Sequence, residues 1–135
     1  MKNPPQTLFQ KARDVLQHAY CPYSSFPVAA CVETPNGNLY AAVNVENACY
    51  NLGTCAETNA IAQMISQGET TISRILILTP TKTVTPPCGG CRQRIAEFAQ
   101  ADIPVHLCST YGNHEVYTIG KLIPAAFGPN NMEPS

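Results

Sequence analysis

The stretch that most limits how this chain can fold is RILILT, residues 74–79. Ile75 to Leu78 are apolar without a break. Successive side chains of a strand point to opposite faces, so a continuous apolar run must be covered on both. Segments of helical character flank it, CAETNAIAQMISQG before and GGCRQRIAEFAQA after. Strand patterns that alternate with helical ones imply crossovers and a partly parallel sheet.

The remaining segments complete the layout. TLFQKARDVLQHAY places Leu8, Ala12, Val15, Leu16 and Ala19 on one stripe, with Thr7 as cap and Pro22 beyond its end. FPVAACVET and LYAAVNVE, joined by the turn PNGN, form a hairpin pattern. In the helix after it, Ala60, Ile61, Met64 and Ile65 are expected to face the core, with Gly68 ending it; in the next, Ile95, Phe98 and Ala99. IPVHLCS and EVYTI read as strands, and GKLIPAAF as a terminal turn or short helix. The expected fold class is α/β, a three-layer α/β/α sandwich around a central mixed five-stranded sheet. One domain over residues 1–135 is expected, with a flexible tail from about residue 128.

Composition removes several functions. Net charge is −1 and the lysines and arginines are not clustered, which argues against a nucleic-acid groove or a membrane-surface patch. The N-terminal stretch has no apolar signal core, so a soluble, cytoplasmic protein is expected. Charged residues make up only 13% of the chain, which points to surface buried against other subunits.

Seven cysteines without a secretion signal speak for metal or chemistry rather than a disulfide framework. PPCGGCRQ sets Cys88 and Cys91 in a tight turn leading into a helix, where backbone N–H groups and the helix dipole favour thiolates. Cys55 stands at another helix start and is the natural third ligand. Three thiolates suit Zn²⁺, and a catalytic zinc keeps its fourth position open. A closed site completed by Cys49 or Cys108 is the structural alternative. Glu57, two residues after Cys55, favours the open site: a zinc held by three thiolates is formally negative and acidifies water less, so a neighbouring base is needed. Taken alone, Glu57 would read as an acidic first-turn residue.

CAE followed by PCGGC resembles the zinc signature of the cytidine deaminases, with cysteine in place of histidine as first ligand. YCPYSSFPVAA, NVENACY, PCGGCRQ and LIPAAFGP resemble further segments of the small homotetrameric three-cysteine type. The resemblance implies one Zn²⁺ per chain on Cys55, Cys88 and Cys91, with Glu57 moving the proton. It implies that Phe26, the Ala56 N–H and the Cys88 carbonyl hold the pyrimidine. Asn44, Glu46, Asn47 and Ala48 would form the ribose-reading segment, and Tyr50 and Phe127 would reach a neighbouring subunit's site. The expected reaction is deamination of cytidine and 2′-deoxycytidine in pyrimidine salvage. Modified cytosine nucleosides, or a catalytically silent zinc-stabilised protein, are the alternatives. Cys21, Cys31, Cys49 and Cys108 are expected to pack in the core.

The pattern departs from that family in three places. Thr58 stands where the family has an arginine that donates to the zinc thiolates, Ala29 where it has glycine, and Gly90 where it usually has alanine. Arg92 and Arg94 are the candidates to supply the missing charge.

Overall fold

The computed structural model describes residues 3–134; Met1, Lys2 and Ser135, the last at the end of the expected tail, lie outside the described residues. The elements are α1 (Gln6–Leu16), β1 (Ala29–Glu33), β2 (Leu39–Val43), α2 (Ala56–Ser66), β3 (Arg74–Thr79), α3 (Gly89–Glu97), β4 (Pro104–Ser109), β5 (His114–Thr118) and α4 (Ile119–Leu122). A short 3₁₀ turn follows at Pro129–Met132. The strands form one sheet in the order β2-β1-β3-β4-β5. Only β3 and β4 pair in parallel; the other pairs are antiparallel. This is the mixed five-stranded sheet expected.

Alternation along the strands builds a core on each face. Ala29 and Cys31 of β1 and Leu76 and Leu78 of β3 meet Leu8 and Ala12 of α1. Their neighbours Ala30, Val32, Ile75 and Ile77 meet Ala60, Ile61 and Met64 of α2 and Ile95 of α3. The unbroken apolar run of β3 is thus shared between two helical layers. The PNGN turn closes the hairpin with Gly37 at φ +84°, a left-handed backbone that suits glycine.

Several local expectations are corrected. Thr7 does not cap α1; Pro5 does, with its fixed φ of −61° and a carbonyl that accepts from the Phe9 N–H. The helix ends at Leu16, short of Ala19, because Tyr20 is drawn into a bridge with Val45: the Tyr20 N–H donates to the Asn44 carbonyl and the Tyr20 carbonyl accepts from Glu46. Ile65 is exposed, lying off the stripe of Ala60, Ile61 and Met64. Phe98 and Ala99 are only partly buried, packed at the margin of the core. Among the four other cysteines, Cys31 and Cys108 lie in the core as expected, but Cys49 is exposed and Cys21 half-buried, because both sit on loops beside the sheet.

Candidate metal centre and active site

The topology brings the cysteines together. β1 runs against both β2 and β3, so β2 and β3 point the same way. The chain leaves both at the same end of the sheet, and α2 and α3 start there on the same face. Cys55 is the residue preceding α2, Cys88 the residue preceding α3, and Cys91 lies in the first turn of α3. Their sulfur atoms all lie within 4.8 Å of one another. A zinc–sulfur bond of about 2.3 Å in tetrahedral geometry needs sulfurs about 3.8 Å apart, so small side-chain movements close this set on one ion. Cys91 is buried, Cys55 half-buried and Cys88 exposed, which leaves one side of the cluster open. The donor chemistry fits one Zn²⁺ per chain. No other cluster of this kind occurs among the described residues.

Charge at the site follows from this crowding. The Cys91 thiol, hydrogen-bonded to Cys55, is the main cause that pulls Cys55 well below the ordinary thiol range, and Cys91 as the donor is held up. Glu57 is only 5% exposed. Burial raises its carboxyl above the ordinary range; its own backbone N–H opposes this, the charge on Cys55 adds to it, and Arg94 opposes it. Arg94 also lowers Cys55, as a lesser cause behind the neighbouring thiols. Arg92 is turned elsewhere: Nε donates to the Pro87 carbonyl at 2.8 Å and Nη1 to the Leu122 carbonyl at 2.8 Å.

A cleft of about 380 Å³ opens on this cluster, lined among others by Phe26, Asn44, Glu46, Tyr50, Ala56 and Glu57. That volume is in the range that holds a small ligand. A second cleft of about 370 Å³ shares Glu46 and Tyr50 and adds Asn47. Ala56 opens α2, so its N–H is among those with no acceptor inside the helix. The Cys88 carbonyl already accepts from the Arg92 N–H at 3.0 Å and keeps its second lone pair.

Asn44 and Glu46 both line the first cleft, and both hold the loop ahead of β1. Asn44 Oδ1 accepts from the Val28 N–H at 3.0 Å, and its Nδ2 donates to the Phe26 carbonyl at 2.9 Å. Glu46 accepts from the N–H groups of Tyr23 and Ser24, both at 3.1 Å, and from the Ser24 hydroxyl. These donors, the hydroxyl first, hold the Glu46 carboxyl below its ordinary range. Ser25 between them takes φ +56°, a strained value for a residue with a side chain. Asn47 accepts from the Cys49 N–H at 2.9 Å.

Two predicted residues stand apart. Ala48 is exposed and lines neither cleft. Phe127 is exposed beyond α4, its carbonyl accepting from Gln93, and lines neither cleft. Sequence reasoning missed Tyr23 and Ser24, which close the second cleft, and Thr85 and Pro86 in the first. The prolines before Cys88 were the available signal, read only as shaping the turn.

Fold and site define a class: an α/β/α protein with a three-thiolate zinc centre and a buried carboxylate facing a ligand-sized cleft. The sequence model of the cytidine and deoxycytidylate deaminase zinc-binding region matches residues 2–107. A cytidine deaminase of Sporosarcina psychrophila is 35% identical over 127 residues, covering 94% of this chain and 93% of that protein. One of Halalkalibacterium halodurans is 37% identical, covering 94% and 96%. The crystal structure of cytidine deaminase from Burkholderia pseudomallei superposes with a TM-score of 0.87 at 33% identity, covering 92% of this chain and 99% of that one. The chain belongs to the cytidine and deoxycytidylate deaminase family.

Proposed function

We propose that this chain hydrolyses cytidine and 2′-deoxycytidine to uridine and 2′-deoxyuridine with release of ammonia, a step of pyrimidine salvage. The observation that carries the reading is the buried Glu57 carboxylate beside the three thiols, at the wall of the cleft. A purely structural zinc needs no such neighbour, and burying a carboxylate is costly without a use.

Cys55, Cys88 and Cys91 hold the zinc, which when bound supplies a Lewis acid that makes water more acidic. Glu57 takes one proton from the attacking water and gives it to N3 of the pyrimidine, then takes the second from the oxygen now bonded to C4 and gives it to the leaving amine. A carboxyl raised by burial suits this shuttle, since it takes up a proton more readily than an ordinary carboxylate and can still give it back. The oxygen bonds to C4, the C4–amine bond breaks, and ammonia leaves. The Ala56 N–H and the Cys88 carbonyl orient the base edge, and Phe26 packs beside it. Asn44, Glu46 and Asn47, which line the clefts, read the ribose, with Ala48 completing the segment outside them. Tyr50 and Phe127 complete sites shared between subunits of a homotetramer in the cytoplasm.

The test is ammonia release from cytidine and deoxycytidine by protein of known zinc content, with Glu57→Ala in parallel. Turnover is expected from the wild type. The variant is expected to lose about a thousandfold or more while keeping its zinc and its melting temperature. Loss of zinc and stability in the variant would assign Glu57 a structural role. A fully zinc-loaded wild type that releases no ammonia would favour modified cytosine nucleosides or a silent protein, a reading to which Thr58 lends weight.

A further inference from the structure

Three thiolates and Glu57 leave the metal centre negative even after zinc contributes its two positive charges. A negative, half-open cluster needs a cation nearby. The two helices offer equivalent places for one. Thr58 stands three residues after Cys55, and Arg94 three residues after Cys91. A long helical side chain leans back toward the N-terminus and over the preceding turn. From either position it therefore reaches toward the cysteine before it. Threonine at 58 brings no charge. Arg92, the other candidate, is held by the Pro87 and Leu122 carbonyls.

Arg94 is the residue that turns back. A Cβ built on Gly90 would lie 3.2 Å from Arg94 Nη1, so the guanidinium rests over the glycine between the two cysteines of the turn. An alanine at 90 would press on it. Gly90 and Arg94 are thus one arrangement: the missing side chain makes the space that the guanidinium uses. Gly90 lies between Cys88 and Cys91, so a guanidinium seated over it stands beside the thiol cluster.

We infer that Arg94 is a positioning residue of the zinc centre, supplying from α3 the positive charge that Thr58 does not supply from α2, with Gly90 as its seat. The inference rests on the zinc-deaminase reading for its place in catalysis, but its test reads the metal and stands without turnover. Bound zinc holds all three cysteines as thiolates, so a nearby cation favours the loaded form. Arg94 lies at the surface, where water weakens its field, so the effect is moderate.

The experiment measures zinc affinity of the full chain by chelator competition, and the thiolate-to-cobalt charge-transfer band of the Co²⁺-substituted protein. Arg94→Gln is expected to weaken zinc binding about tenfold and move the band to longer wavelength, because thiolates without the cation are better donors. Arg94→Lys, which keeps the charge, is expected to stay close to wild type. Gly90→Ala should reproduce part of the Gln effect. Adding Thr58→Arg to Arg94→Gln should restore both readouts. A folded Arg94→Gln protein with wild-type affinity and an unmoved band overturns the assignment, as does equal damage from Arg94→Lys. If these metal readouts behave as expected while the zinc-loaded wild type fails to deaminate, the charge assignment survives and the deaminase reading falls.

Discussion

Glu46 accepts three hydrogen bonds from the loop ahead of β1 before any ligand arrives. A sugar hydroxyl would meet a carboxylate whose position is already set, so little ordering is needed on binding. The same discipline separates the cysteines. The thiols of Cys31 and Cys108 are both pushed up to about 12, chiefly by burial. Thiolate is the reactive form, so both should resist a thiol reagent in the native zinc-loaded protein and react only on unfolding. Mass mapping after brief labelling checks this; rapid modification of either would show that the sheet opens locally. At this scale the clustering of the three cysteines was legible, because helix-start cysteines and a C-x-x-C turn have few other uses, and so was the place of Glu57 in the first turn of α2. Arg94 was not, because its direction depends on Gly90 giving way. Nor was the engagement of Asn44 with Phe26 and Val28, which needs the loop's path in space.

Among the elements, the β3 run declared its own environment, since an unbroken apolar strand has only one stable setting. The end of α1 did not, because the residue that stops it pairs with Val45, far along the chain. The β4–β5 pair carries a pH dependence of its own. His106 stacks on His114, with Nδ1 3.0 Å from Nε2. Burial first, then His114 and Arg74, push His106 from an ordinary 6.5 down to about 4. Between those values the unfolded chain holds a proton that the folded chain lacks, so stability falls as pH falls from 6.5 to 4. Urea midpoints across that window should drop less steeply for His106→Gln than for wild type. Parallel curves would mean that the pair does not contribute to acid sensitivity.

On the scale of the molecule, several large apolar side chains stand at the surface. Tyr20, Tyr23, Tyr50, Leu52, Phe127 and Met132 are all exposed in the single chain. Tyr23 and Tyr50 already meet, ring centroids 6.1 Å apart. Exposure on this scale is characteristic of interaction surfaces. The proposed homotetramer with shared sites predicts a sedimenting mass about four times the 14.6 kDa of one chain. It also predicts that Phe127→Ala lowers turnover by about tenfold or more without changing the melting temperature, since Phe127 touches neither cleft of its own chain. A monomer with full activity would remove the shared site. Among the described residues no helix is long and apolar enough to cross a membrane.

The metal centre gives the two faces of the sheet unequal fastenings. α1 is held to its face by side-chain packing, through Leu8 and Ala12. On the other face a single ion ties the starts of α2 and α3, which the chain reaches on either side of β3. Withdrawing the ion is therefore a one-sided injury. It frees the two helix starts that wall the cleft, while the layer behind the sheet keeps its grip. The part of the molecule that would bind substrate is also the part whose order is borrowed from outside the polypeptide.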